Sequence, residues 1–260
     1  MIASFVVGGC QKSNDGYIAD ESGNRIGGEP GYLQVRIMDA PSPYNFEAVY
    51  LDIRGVSVLV ESTEPGTMSR WISLTTGGGV YDMLKLTNGV DVVLANQRIP
   101  SGTITQIELK LGDRNSIVVD GKPNRLILPD HQAGALRVRV DEFVTSEELV
   151  TLMLDFDVAR SIQPMHEDYV LEPVLRAVVL QNTGSVHGEV KPARGSLAIV
   201  AINGAEQYST YADRSDRNFL LRGLPPGTYE VRVYYPFSDR AEVFDHVTVT
   251  AGSVTELDAQ

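Results

Sequence analysis

Cysteine is almost missing from this chain: there is one, Cys10, in 260 residues. A lone thiol excludes an intramolecular disulfide and zinc sites of the Cys-x-x-Cys type. Histidine is scarce as well. His131, His166, His187 and His246 are widely separated, so no pair has the i, i+4 spacing of a helical metal site. No apolar run reaches the roughly 18 residues that a membrane-crossing helix needs. Positive charge is in deficit, with 22 Lys and Arg against 34 Asp and Glu, a net charge of −12 and a pI of about 4.8. That field repels phosphate, which excludes nucleic acid as an expected partner and disfavours adsorption to anionic lipid.

What is present is ordinary globular composition, 43% hydrophobic and 22% charged. The opening, MIASFVVGGC, is mostly apolar and ends in Val7-Gly8-Gly9-Cys10. An apolar residue, two small residues and a cysteine form the box at which bacterial lipoprotein signals are cut. The small residues admit the peptidase, and the cysteine then takes acyl chains. One chain anchors marginally, at about 0.8 kcal/mol per buried CH₂, whereas two or three hold. Residues 1–10 are therefore expected to be a truncated lipoprotein signal, and Cys10 the lipid attachment site. No Lys or Arg precedes Cys10, so an opening strand that ends in Gly-Gly is the alternative. Residues 11–30 are polar and glycine-rich, with little to bury, and read as a flexible tether.

Beyond the tether the apolar period is two. Leu33, Val35 and Ile37 alternate with polar residues. In EAVYLDIRGVSVLVE, Val49, Leu51 and Ile53 share one phase and Val56, Val58 and Val60 the next. The slip falls at Gly55, which predicts a β-bulge or a bend between sheets. Further strands are expected at 103–111, 115–119, 125–128, 135–140 and 149–156, with Asp120-Gly121 as a type I′ hairpin turn. Val90, Val93 and Leu94 have helical spacing and predict a short helix within 80–97. A second helical turn is expected after Asp157. Residues 169–180 close a first domain (31–180), and Gln181–Gly184 reads as a linker. Strand signals then recur at 185–190, 196–202, 205–211, 218–223, 228–235, 242–250 and 253–258, with Asn203-Gly204 as another I′ turn signal. That spacing predicts a small β-sandwich over 185–258. The fold class expected is mainly β: a β-rich N-terminal domain with one or two short helices, then an immunoglobulin-like or transthyretin-like sandwich.

Several blocks carry resemblances. Met38-Asp39-Ala40-Pro41, AVYLDIRGVSV, Trp71 with Leu74, YDMLKLTNG, IPSGTITQIELKLGDRNSIVVDG, LMLDFDVARSI and EPVLRA follow one another in order. In these, residues 31–180 resemble the domain of unknown function 4382 family of exported proteins, many of them lipoproteins. The resemblance implies an exported β-rich domain and no particular activity. Gly188-Glu189-Val190, Asp216, Asn218-Phe219-Leu220 and Gly223-Leu224-Pro225-Pro226-Gly227-Thr228-Tyr229 are similar to a carboxypeptidase regulatory-like, transthyretin-like module. Such modules accompany exported proteins and do not catalyse. The short Lys191–Gly195 loop departs from that pattern.

Three sets of residues are candidates for chemistry. Asp155 and Asp157 share a strand face about 7 Å apart at Cα. With Asp39 they offer hard oxygen ligands suited to calcium; alternatively they cap the turn at 158–160 or pair with Arg160. Trp71, Tyr234 and Phe237 offer flat rings on which a sugar can stack, or they are rim and core residues. Thr76–Gly79 is glycine-rich but lacks the lysine of a phosphate loop, and no Gly-x-Ser-x-Gly elbow occurs. The expected role is non-enzymatic binding or structure at the cell envelope, lipid-anchored in an outer membrane, with a glycan or an envelope protein as partner and no cofactor beyond calcium. The alternatives are an envelope hydrolase using carboxylates of 31–180, or a calcium-stabilised adhesion domain.

Overall fold

The structure is a computed structural model that describes residues 29–40, 46–62, 68–129, 135–165, 168–191, 195–236 and 241–257. Cys10, the polar stretch to residue 28 and Phe237 lie outside the described residues. The described residues are mainly β, with one α-helical turn among them, α1 (Val158–Ser161), and short 3-10 turns at Met83–Lys85 and Leu180–Asn182.

The first core lies between two sheets. One is four-stranded, in the order β13 (Leu175–Val179), β10 (Leu149–Asp157), β1 (Pro30–Ala40), β5 (Val92–Pro100). β1 and β10 run parallel through nine register pairs, Tyr32↔Leu149 to Ala40↔Asp157. The other sheet is organised by the long strand β2 (Ala48–Glu61). One edge of β2 pairs β4 (Gly79–Asp82) and then β3 (Arg70–Leu74). The other pairs β7 (Ser116–Val119) and then β6 (Gly102–Leu111). β9 (Leu136–Val144) flanks β6, while β8 (Lys122–Ile127), β12 (Asp168–Leu171) and β11 (Ile162–Met165) extend the sheet beyond β7. Leu33, Val35 and Ile37 from one sheet and Val56, Val58 and Ile107 from the other meet in this core.

The slip at Gly55 is a bulge: the β2–β6 register shifts between Ile53 and Gly55, which keeps Val49, Leu51, Ile53, Val56, Val58 and Val60 buried. Asp120 and Gly121 have φ of 50° and 70°, the pair of left-handed residues that a I′ turn requires. The Asn203-Gly204 expectation shifts by one residue. Asn203 pairs Glu206, so Gly204 and Ala205 form the turn and only Gly204 has positive φ, the II′ pattern. The helix expected within 80–97 is not formed. β4, the 3-10 turn and β5 occupy that stretch. Asn88 and Gly89 stand at φ 54° and 80°, which no right-handed helix tolerates, and β5 is held in a ladder by β1.

The second core is a seven-stranded sandwich. Its sheets are β17 (Asn218–Leu224), β14 (Gly184–Glu189), β20 (Val254–Leu257), and β16 (Glu206–Tyr211), β15 (Ala198–Asn203), β18 (Gly227–Tyr234), β19 (Ala241–Val249). Phe219, Leu221, Tyr229, Val231 and Val247 fill it. The Tyr229 hydroxyl donates to the Pro225 carbonyl (2.7 Å), closing the Leu-Pro-Pro-Gly-Thr-Tyr turn. The stretch read as a linker is a tight junction: Thr183 N and Oγ1 both donate to the Leu180 carbonyl, and Gly252 N donates to Thr183 O.

Candidate functional site

The aspartates singled out in sequence sit at a seam where the sandwich packs on the four-stranded sheet. β17 is an edge strand, with outward peptide groups needing partners. The Asn88 side chain supplies them. Its Nδ2 donates to Asn218 O (3.1 Å), and its Oδ1 accepts from Leu220 N (2.6 Å). One amide thus imitates a residue of a neighbouring strand. Asn88 N also donates to Thr210 Oγ1 (3.1 Å). Asparagine tolerates the left-handed φ this requires, and glycine follows because a Cβ on residue 89 would meet Leu220 Cδ2 at 2.8 Å. Beyond them, the buried Asp91 carboxylate receives Arg36 from β1 and Arg222 from β17 (2.6 Å), an ion trio shared by both cores.

Arg176 of β13 forms the second tie. Its Nε donates to Asp155 Oδ2 (2.6 Å), and its guanidinium lies 4.2 Å from the ring centroid of Tyr208 in the sandwich. The face of β10 that carries Asp155 is therefore covered rather than open to solvent. Met153 is 0% and Asp155 6% exposed, because the sandwich covers this face. Burial raises the Asp155 pKa even though Arg176 opposes the shift. Asp39 is pushed well above the ordinary carboxylate range, first by burial; the Val158 N–H (3.1 Å to Oδ1) works against this, and the charges of Asp155, Asp157 and Asp82 add to it. Asp39 Oδ2 and Asp155 Oδ1 have no hydrogen-bond partner among the described residues. Both residues line a cavity of about 10 Å³, the room of one water molecule.

Asp157 does other work. Its Oδ1 accepts from Arg160 N (2.9 Å), and its Oδ2 pairs with Arg160 Nε (2.7 Å), so it caps α1 as the second reading of this residue expected. Among the described residues no group of three His, Cys, Asp or Glu side chains is placed to hold a metal ion.

Trp71 and Tyr234 belong to different sheets, and Phe237 lies outside the described residues. Tyr234 ends β18 between Ala198 and Ala241. Trp71 stands on the open face of β3-β2-β6-β9. Register aligns Trp71, Leu59, Gln106 and Arg139 in one row and Ser73, Ser57, Glu108 and Arg137 in the next. Arg137 lies 5.1 Å from the Trp71 ring centroid and donates to Glu108 (2.8 Å). The polar residues of the seam, Asn88, Asp91, Arg176 and Arg222, were not singled out from sequence. Their partners lie up to 133 residues away, and only the turn-prone Asn88-Gly89 dipeptide marks the place.

Solved structures of similar shape include a fimbrial protein from Bacteroides ovatus ATCC 8483, 8% identical, covering 89% of this chain and 48% of that one, with a TM-score of 0.26. This chain thus spans about half of that protein's length. A second is GBS52, the minor pilin of the Gram-positive pathogen Streptococcus agalactiae, 12% identical over 87% of this chain and 94% of that one, with a TM-score of 0.21. TM-scores this low carry no argument about role. No curated protein matches the sequence. Residues 30–173, more than half of the chain, match the model of the family described as domain of unknown function (DUF4382), and the chain belongs to that family.

Proposed function

We propose that this chain is a lipid-anchored exported protein of the bacterial cell envelope, held through Cys10, whose β body binds or braces and does not catalyse. The observation that carries the reading is the Val7-Gly8-Gly9-Cys10 box and the polar stretch behind it, placed ahead of a first described strand that is already central. β1 starts at Pro30 and is hydrogen-bonded on one side to β10 and on the other to β5. Its ladders are complete without help from the opening residues. The transthyretin-like character of 185–258 belongs to the same proposal. Its support is the seven strands in two sheets and the Leu224–Tyr229 turn. The open sheet face around Trp71 and Arg137 is the first place to look for a glycan or an envelope protein.

The hydrolase alternative loses its leading residues. Asp155 faces a cavity with room for one water, and Asp157 is committed to Arg160. The test of the anchor is the intact mass of the protein made from its native upstream region, beside a Cys10→Ala version. A mature chain that begins at Cys10 and carries acyl mass supports the reading. An unmodified chain that retains Met1 and stays in the soluble fraction overturns it.

A further inference from the structure

A cavity of about 420 Å³ opens at one end of the sandwich, far larger than the void at the seam and within the usual size of ligand pockets. Its floor is apolar, from buried Leu197 and Ala212. Arg214 and Arg217, the hydroxyl-bearing Ser215 and the acidic Asp213 line its wall. Two arginines share this lining in a chain of net charge −12.

Neither cation is well quenched by the fold. Arg217 Nε is buried and has no acceptor among the described residues, while Nη2 reaches Glu189 at 3.3 Å. Arg214 donates through Nε and Nη2 to the hydroxyl of Ser196, a neutral acceptor (3.1 and 2.7 Å). The nearby carboxylates serve the loop itself. Asp213 Oδ1 accepts from Ser215 N, Ser215 Oγ and Asp216 N; Asp216 Oδ1 accepts from Asn218 N. Those bonds hold the Asp213 carboxyl below its ordinary pKa, so it stays ionised and engaged. Arg217 also stands at φ 66°, a conformation that favours glycine, so the loop presents this side chain at a conformational cost. The buried Nε is out of a ligand's reach, and the Nη donors that Ser196 and Glu189 leave over are those a ligand oxyanion meets through charge-assisted bonds.

We infer that this cavity binds the carboxylate of an acidic sugar, a hexuronate. The carboxylate meets Arg217 and Arg214, the ring lies over Leu197 and Ala212, and Ser215 lies within the same wall for ring hydroxyls. The volume suits one ring and exceeds what a bare inorganic oxyanion fills. The inference rests on the binding side of the proposed function and not on the anchor, so the intact mass at Cys10 has no bearing on it.

The test is a chemical-shift titration of the full chain, carrying Cys10→Ala, with D-glucuronate, D-glucose and sulfate. Arg217→Gly suits the left-handed φ and removes the guanidinium, and Arg214→Gln keeps a donor for Ser196. Both variants are first checked for wild-type cooperative unfolding. Glucuronate is expected to shift the amides of 195–197 and 212–217 and to bind each variant at least about tenfold more weakly, the loss of one charge-assisted pair. Glucose binding as tightly as glucuronate, or undiminished glucuronate binding by both variants, overturns the site. Sulfate binding as tightly as glucuronate overturns the sugar assignment.

Discussion

Strands β9 and β10 follow each other in the chain, and each is nine residues long, but they live in different surroundings. Along β9, half-buried Leu136, Val138 and Val140 alternate with exposed Arg137, Arg139 and Asp141. Along β10, every residue from Val150 to Phe156 is buried. β9 is an edge strand with one face in water. β10 is central, with the first core on one face and the sandwich on the other. A continuous apolar run is the signature of a strand covered on both faces, and LVTLML carries it. Here the second cover comes from the same chain's C-terminal sandwich, so β10 links two cores that would otherwise be separate.

The contrast can be broken by substitution. The largest effect is expected for Met153→Ala, on the face of β10 that the sandwich covers. A fully buried methionine lost there costs about 2–5 kcal/mol in denaturant unfolding, whereas a wet face like that of β9 would give almost nothing. Next is Asn88→Gly, which keeps the left-handed φ and removes only the amide that completes β17. Asn218 O keeps Asp213 N as a donor, but Leu220 N is left without its acceptor, which is expected to cost about 1–3 kcal/mol, and the sandwich should then lose amide protection before the first core does.

Asp39→Asn sharpens the comparison through pH. The folded protein keeps this proton at pH values where the unfolded chain has released it. Stability therefore falls as pH rises from the ordinary carboxylate range through the raised folded value. Asparagine retains an acceptor for Val158 N and drops the charge. The variant is expected to be more stable than wild type at pH 8, with the gain shrinking toward pH 4. A constant offset across that range would contradict a shifted Asp39. The smallest effect is expected for Arg139→Gln on the wet face of β9, within about 0.5 kcal/mol by thermal melting.

Local signals in the sequence were read well where they depend on neighbours in the chain. Gly55 marked the bulge, Asp120-Gly121 its turn, and Asp157 the cap of α1, because each is decided within a few residues. The seam was not legible in that way. The apolar run of β10 is visible, but the cover over its acidic face is not, because nothing in 149–157 says that Tyr208 and Arg222 arrive from the sandwich. The spacing of Val90, Val93 and Leu94 misled for a related reason. The left-handed Asn88-Gly89 pair is fixed by the edge of β17, and the strand after it by β1. For the candidate binding residues, Trp71 is marked by its type alone, while its neighbours Gln106 in the same row and Glu108 and Arg137 in the next follow only from the register of four strands.

The two cores are expected to unfold as one body through β10. Trp71 is the only tryptophan in the chain and reports on the first core, while peptides from β17 and β18 report on the sandwich by hydrogen exchange. Both are to be followed across one guanidinium titration of the full chain. Coincident midpoints for Trp71 fluorescence and for loss of protection in 218–234 are the predicted result. Exchange of 218–234 at lower denaturant, with Trp71 fluorescence and β10 protection unchanged, would contradict the claim and leave the seam a contact between independent units.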